Sequence, residues 1–200
     1  MDTPRSHAPL AAGSLAHATY TIQRPFWSVL GRTFRVLAPD GSLVLFVRHP
    51  WFKLRQQLTL FTDESQQVPV VVVRARQIIG FDIAHDVFDA PTGQRVGSVR
   101  SRGLRSLVRD TWDVLDADDR PVGRMQEDGA AMLRRLFPML LGTWHVEIGG
   151  ETVAHVRQLF RFFVREYVLD LSASRGRLDA RFAIACALLA VMAESRREAS

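Results

Sequence analysis

The stretch Leu178–Arg197, LDARFAIACALLAVMAESRR, decides the fold that the rest of the chain must build. Its middle, Phe182–Ala193, contains only apolar residues, so a helix here has no polar face and must be buried in protein or in lipid. These 12 residues span about 18 Å as a helix, whereas the hydrocarbon core of a bilayer is about 30 Å thick. Charged residues flank both ends of the run. We therefore predict a helix over 178–197 that is buried inside the protein.

Upstream of this helix the chain is typical of a protein built from many short β-strands. From Thr19 onward, segments rich in Val, Phe, Leu, Ile and Trp are bounded by Gly, Pro and Asp. The predicted strands lie near 19–23, 33–38, 42–48, 57–62, 68–76, 83–89, 94–101, 107–115, 120–126, 143–148, 151–159 and 162–171. A sheet of about a dozen strands tends to curl or close, because open edges promote aggregation. The interior of a barrel this large needs filling, and the apolar helix can fill it. The predicted fold class is therefore mainly β: a closed antiparallel β-barrel of about 12 strands around a buried C-terminal α-helix.

A weak internal repeat supports a sheet made of hairpins. Each unit is an alternating strand, a turn with Asp or Gly, and a second alternating strand. The strand valines Val36, Val87, Val114 and Val146 are 51, 27 and 32 residues apart, which is too irregular for a propeller or a solenoid. The segment Asp128–Phe137 predicts a short helix that ends before Pro138. We expect residues 1–17 to form a small, polar, flexible tail and residues 18–200 to form one domain.

The composition narrows the class of function. The 200 residues include 26 basic and 21 acidic side chains, for a net charge of +5, and all but one of the basic residues are arginine. This charge favours phosphate-bearing partners, although arginine-rich composition alone also produces a high isoelectric point. The single cysteine, Cys186, excludes an intramolecular disulfide and a cysteine-rich zinc site, and it suits a reduced cytosolic compartment. We expect Cys186 to be a buried core residue of the helix.

An ordered set of short motifs resembles a known family. The set is Trp112-x-Val114-x-Asp116, Val122-Gly123, Glu127, Val168-Leu169-Asp170-Leu171 and Gly176-x-Leu178-Asp179-x-Arg181, the last leading into an Ala/Leu-rich helix. In this order the motifs resemble the tubby C-terminal-like superfamily, and within it the LURP-one-related and phospholipid scramblase branch, over about residues 18–197. The resemblance implies a 12-stranded barrel wrapped around a C-terminal helix.

The same resemblance implies a role at membranes, since tubby domains bind phosphoinositides and scramblases act on phospholipids with calcium. The stretch that matches the scramblase calcium segment is Ser172–Gly176, which has no carboxylate, and only Asp170 and Asp179 flank it. Calcium prefers several oxygen ligands. The cysteine cluster and the proline-rich N-terminal segment of scramblases are absent as well. We therefore expect no metal or other cofactor.

Five arginines form the candidate binding site for an anionic headgroup. They fall within 15 residues with no acid between them, and nearby Ser and Gly residues leave room for a phosphate: Arg95, Arg100, Arg102, Arg105 and Arg109. The alternative is a solvated face balanced by the acids that follow, Asp110, Asp113, Asp116, Asp118 and Asp119.

Two weaker sequence patterns each allow two interpretations. Arg157, Arg161 and Arg165 recur every four residues, which would place them on one face of a strand, either at a membrane surface or simply outside the barrel. His145-x-Glu147 resembles the start of a zinc deaminase motif, but the later cysteine pair is missing, so both residues are predicted to be exposed strand residues.

The chain lacks the common catalytic signatures, so we expect a non-enzymatic module. The leading prediction is a cytoplasmic barrel that associates peripherally with anionic phospholipid headgroups or another polyanion. The alternatives are a protein-interaction scaffold without lipid affinity, a true scramblase and, less favoured, a nucleic-acid binder.

Overall fold

The computed structural model describes residues 15–25, 32–49, 57–77, 83–101, 111–128, 142–159, 161 and 164–197. Twelve strands and one long helix make up these residues. The strands are β1 (Thr19–Pro25), β2 (Arg32–Leu37), β3 (Leu43–His49), β4 (Gln57–Phe61), β5 (Pro69–Gln77), β6 (Ile83–Asp89), β7 (Arg95–Ser101), β8 (Thr111–Leu115), β9 (Pro121–Glu127), β10 (Thr143–Ile148), β11 (Glu151–Leu159) and β12 (Val164–Asp170). The helix, α1, is Ala180–Arg197.

The strands form a closed antiparallel barrel, as the sequence predicts. Each strand pairs with its neighbours in the chain, and β1 pairs with β12 from Thr19↔Asp170 to Pro25↔Val164 to close the circle. The twelve strands lie at the twelve predicted positions, and the helix begins two residues later than predicted. The predicted helix over 128–137 and most of the predicted tail lie outside the described residues. The described chain begins at Leu15, which packs against the core.

The helix α1 is the centre of the core. Every residue from Phe182 to Met192 is buried, Cys186 among them, and burial raises the pKa of that thiol. Alternate residues of the strands point inward against the helix, with Trp144, Tyr20, Tyr167 and Phe34 the largest fully buried side chains. An all-apolar helix is stable here because the barrel wall covers it on every side.

The five hairpins share one irregularity next to their turns. In each hairpin the pairing skips one residue of the second strand, which makes a β-bulge. The extra residue is a valine every time: Val44, Val70, Val96, Val122 and Val153. Successive bulge valines are 26, 26, 26 and 31 residues apart, so the repeat is more regular than the valines compared in the sequence suggest. The bulge puts two consecutive residues of one strand at the core, and all five valines pack in or against it.

Gly97, the residue after the bulge valine Val96, lies close to the helix. A Cβ atom at Gly97 would lie 2.8 Å from the carbonyl oxygen of Leu115 and 3.0 Å from Cε2 of Phe182. Any side chain larger than hydrogen would therefore push the helix away from β7.

The barrel has two different ends, which are named here by their chain segments. At the turn end lie the short hairpin turns and residues 171–179. At the connection end the strands are joined by the longer segments 26–31, 50–56, 78–82, 102–110, 129–141 and 160–163. The helix begins at the turn end, where Arg181 binds Asp89 of β6 at 2.5 Å. Further along, the Tyr167 hydroxyl donates a hydrogen bond to Glu194 Oε2 at 3.1 Å inside the barrel. Polar contacts at the start of the helix and near its last turn thus fix the position of the helix inside the barrel.

Candidate functional site

A network of ion pairs covers the outer wall of the barrel from β5 to β10. The wall strands place it because their inward residues are apolar and pack on α1, so the charged residues between them face outward. Two of the five arginines predicted as a headgroup site, Arg95 and Arg100, lie in this network on the outer face of β7. Arg102, Arg105 and Arg109 lie outside the described residues.

Arg100 is paired with an acid across the sheet. Its Nη2 lies 2.9 Å from Oδ2 of Asp113, its direct neighbour on β8. One strand further on, Arg124 of β9 faces Glu147 of β10 at 3.3 Å. Such cross-strand pairs of opposite charge stabilise a sheet by a few tenths to about 1 kcal/mol each.

Arg95 belongs to a compact cluster of four charged residues, which we call the Asp119 clamp: Arg76, Asp86, Arg95 and Asp119. Arg95 holds the Asp119 carboxylate with two nitrogens, Nη1 at 3.1 Å from Oδ2 and Nη2 in contact with Oδ1. Arg76 donates from Nη2 to the same Oδ1 at 2.7 Å. Two guanidinium groups from two strands thus converge on one carboxylate of the β8–β9 turn.

A second carboxylate and a hydroxyl hold the arginines of the Asp119 clamp from the strand side. Asp86 of β6 lies 2.9 Å from Arg76 Nε and 3.4 Å from Arg95 Nη2. The hydroxyl of Ser98 accepts a hydrogen bond from Arg95 Nη2 at 2.9 Å. The side chain of Asp86 is only 10% exposed, whereas that of Asp119 is 41% exposed. Asp86 is therefore the buried base of the cluster and Asp119 its outer member.

The charges of the Asp119 clamp shift one another's protonation equilibria. Hydrogen bonds from Arg95 and then Arg76 hold the pKa of Asp119 far below its usual range, against the smaller opposing effect of burial. The pKa values of Arg95 and Arg76 are raised, chiefly by the hydrogen bonds to Asp119. Both arginines and Asp119 are therefore fully charged at neutral pH.

A histidine with acidic neighbours lies on the same wall beyond Glu147. His145 Nδ1 contacts Oδ1 of Asp128, and its Nε2 lies 2.9 Å from the Gln126 amide nitrogen and 3.4 Å from Glu147 Oε1. The sequence predicts that His145 and Glu147 are exposed strand residues. The strand assignment is confirmed, but both side chains are only partly exposed and have polar partners.

A groove of about 570 Å³ runs along the outer wall between these charged groups. It is lined by Thr111 and Asp113 of β8, residues 122–124 of β9, Glu147 of β10, and Gly149 and Gly150 of the β10–β11 turn. Its floor is flat because Gly123 lies directly on the β10 backbone: a Cβ atom there would be 1.8 Å from the Glu147 carbonyl oxygen. The lining carries the acids Asp113 and Glu147 and the cation Arg124, so it suits a ligand of mixed charge.

The arginine triplet on β11 and β12 does not form one face. Arg157 is exposed on the outside of β11, which ends at Leu159, while β12 begins at Val164. Arg165 pairs with Arg24 of β1 in the register that places Tyr167 and Leu169 inside. The even spacing in sequence does not place these arginines on one face, because the chain reverses direction between Arg157 and Arg165.

The structure gives no support for a calcium site beside the helix. Asp170 accepts a hydrogen bond from the Ser172 backbone at 2.8 Å, and Asp179 is bound to Arg181 at 2.7 Å. Within the described ranges no group of three or more His, Cys, Asp or Glu side chains is arranged to hold a metal ion. Among these same residues, no helix combines the length and apolarity needed to span a bilayer.

Comparison with known proteins gives a structural likeness. No family model matches the chain, and no curated protein matches it. An X-ray structure of a protein from Arabidopsis thaliana matches with 18% sequence identity, covers 88% of this chain and 92% of its own, and has a TM-score of 0.46.

Proposed function

We propose that the protein is a non-enzymatic barrel module that associates peripherally with anionic phospholipid membranes through its connection end. In this proposal it is a cytoplasmic member of the LURP-one-related and scramblase-like branch of the tubby C-terminal-like superfamily. The observation that supports the proposal is the distribution of charge between the barrel and the segments that join its strands.

The side chains that the structure describes have no excess of positive charge. Of the 26 basic residues in the chain, 15 have side chains that the structure describes, and so do 17 of the 21 acidic residues. The whole positive excess therefore belongs to the remainder, which carries 11 basic and 4 acidic residues. The wall arginines Arg95 and Arg100 are bound to Asp119 and Asp113 within the chain, so the proposed membrane contact uses other basic residues.

The six connecting segments together carry 8 basic and 2 acidic residues, and they also contain large apolar residues. Trp51, Phe52, Lys53 and Arg55 occur together in one segment, and 102–110 holds three arginines among leucines and a valine. The hairpin turns at the turn end, in contrast, consist mainly of small and polar residues with Arg120 as their one arginine, and residues 171–179 add Arg175 and Arg177. Basic residues attract an anionic leaflet, and tryptophan and phenylalanine are stabilised at the membrane interface. All six segments join strands whose facing ends lie at the same end of the barrel.

A vesicle-flotation experiment tests the proposal. The wild type is compared with the triple variant Arg102→Gln, Arg105→Gln, Arg109→Gln on phosphatidylcholine vesicles with and without phosphatidylserine, at physiological salt. Each arginine near an anionic surface contributes about 1 kcal/mol, so the triple variant should lose on the order of 100-fold in affinity.

The matched control removes three arginines of the turn end. The variant Arg120→Gln, Arg175→Gln, Arg177→Gln changes the net charge equally at exposed positions and should float like the wild type. Equal losses in both triple variants would show that net charge alone matters, and would contradict a role for the connection end. A wild type that does not float on anionic vesicles would also contradict the proposal.

A second candidate function is a protein-interaction scaffold, and the groove between β8 and β10 favours it. Its lining offers two carboxylates, one guanidinium and the backbone of three glycines, which is the mixed polar character of a protein-binding surface. The variant Arg124→Glu should weaken capture of a groove-binding partner and leave flotation unchanged. Loss of flotation in that variant would contradict the division of roles between groove and connection end.

A further inference from the structure

The Asp119 clamp has the geometry of an oxyanion site. Arg95 approaches the Asp119 carboxylate end-on with its two terminal nitrogens Nη1 and Nη2, and Arg76 adds a third donor at 2.7 Å. Two-pronged donation from a planar guanidinium fits a carboxylate and a phosphate equally well, because both present pairs of oxygens at matching spacing. The same three donors could therefore hold a phosphate group.

The two arginines have partners besides Asp119. Asp86, nearly buried between them, pairs with Arg76 Nε and Arg95 Nη2, and Ser98 accepts from Arg95. These partners lie on β6 and β7, inside the regular pairing of the barrel. Removing the Asp119 carboxylate would leave two oriented guanidiniums over one carboxylate, with a net charge of +1.

Asp119 differs from the other members of the Asp119 clamp in its place in the chain. It is the only member that lies in a turn, and its φ of 65° falls in the left-handed region that most residues with a side chain avoid. Its side chain is 41% exposed, so the carboxylate fills the outer mouth of the cluster. Its backbone hydrogen bond to Asp116, at 3.3 Å, is the longest in this turn.

We propose that the Asp119 clamp is a binding site for a phosphate monoester, and that the chain's own Asp119 carboxylate occupies it in the absence of ligand. The phosphate is either free in solution or the exposed headgroup of a lipid such as phosphatidic acid. A dianionic phosphate offers more charge and more acceptor oxygens than the single carboxylate that it displaces. The inference is independent of the proposed membrane association, which depends on other residues.

The variant Asp119→Gly tests the site because it removes the occupant and suits the positive φ. Asp118→Gly is the matched control: it removes a carboxylate of the same turn whose side chain is 69% exposed and 3.5 Å from Arg120. Binding of inorganic phosphate is measured by titration calorimetry at low salt. We expect Asp119→Gly to bind phosphate at least about tenfold more tightly than either the wild type or Asp118→Gly. Equal affinities in the two glycine variants would overturn the proposal.

Two further arms locate the site and its ligand. The double variant Asp119→Gly, Arg95→Lys keeps the charge at position 95 but removes the two-pronged donor. Its affinity for phosphate should therefore be lower than that of Asp119→Gly alone. Equal affinities would contradict the assignment of Arg95 to the site. Vesicles with phosphatidic acid then separate the sources: tighter binding to them supports a lipid headgroup, and tighter binding to soluble phosphate alone supports a free phosphate. The variant with Arg102, Arg105 and Arg109 changed to Gln should bind soluble phosphate like the wild type, whichever way its flotation turns out.

Discussion

At Gly97 the barrel wall and the helix are in close contact. Replacing it with alanine should lower the free energy of unfolding by about 1–3 kcal/mol, because the new Cβ must displace the Phe182 ring or the Leu115 carbonyl. Urea unfolding followed by circular dichroism measures the loss. Adding Phe182→Leu to Gly97→Ala should recover part of it by making room. A single variant with the wild-type urea midpoint would show that the contact is loose.

At the residue scale the sequence explains part of the wall network. The alternative to a free basic site is that the acids after the arginine cluster neutralise it. Two of these acids, Asp113 and Asp119, do bind Arg100 and Arg95. The partners Arg76 and Asp86 could not be predicted, because they reach Asp119 and Arg95 only through the pairing of β5, β6 and β7. Whether a charged side chain is free or paired depends on register, which a single sequence does not specify.

At the scale of elements, the start of α1 depends on Asp179. Its carboxylate accepts the Arg181 backbone N–H at 2.8 Å as a helix cap and binds the Arg181 side chain, which also reaches Asp89. Asp179→Ala should therefore lower the free energy of unfolding by about 1–2 kcal/mol. Asp179→Asn keeps the cap and removes the charge, so it should cost less. Equal losses would mean that the ion pair, not the cap, holds the helix start, and thermal unfolding of both variants decides.

The elements themselves could be predicted because each depends on local pattern. Twelve alternating segments and one all-apolar segment leave little choice but a barrel closed around a helix, and the structure agrees at every strand. The bulges could not be predicted in the same way. In the sequence, a bulge valine looks the same as an ordinary valine that points inward. The sequence comparison therefore used valines such as Val36 and Val87, and it missed the 26-residue spacing of the bulge valines Val44, Val70, Val96 and Val122.

At the scale of the whole molecule, paired carboxylates make stability depend on acid. The pKa of Asp119 is lowered mainly by Arg95, and that of Asp179 is lowered because hydrogen bonds and the charge of Arg181 outweigh burial. A carboxyl whose pKa is lowered on folding stabilises the protein above its unfolded pKa of about 3.9, and this contribution is lost as pH falls through the folded value.

The urea midpoint should therefore be steady near neutral pH and fall steadily below about pH 5. The variant Asp179→Asn should show a shallower fall, because it has one lowered carboxyl fewer. A midpoint that rises on acidification would mean that the wall carboxylates repel one another more than the arginines attract them.

The pairing of β1 with β12 has a consequence for how the protein is made. The strand partner of Thr19 is Asp170, so β1 cannot pair along this edge until β12, the last strand, has been synthesised. Until then the N-terminal strand has one unsatisfied edge and the helix that fills the interior has not been synthesised. Contacts so distant in sequence slow folding and prolong the exposure of strand edges that can aggregate. The protein should consequently depend on chaperones during synthesis more than its closed native form suggests.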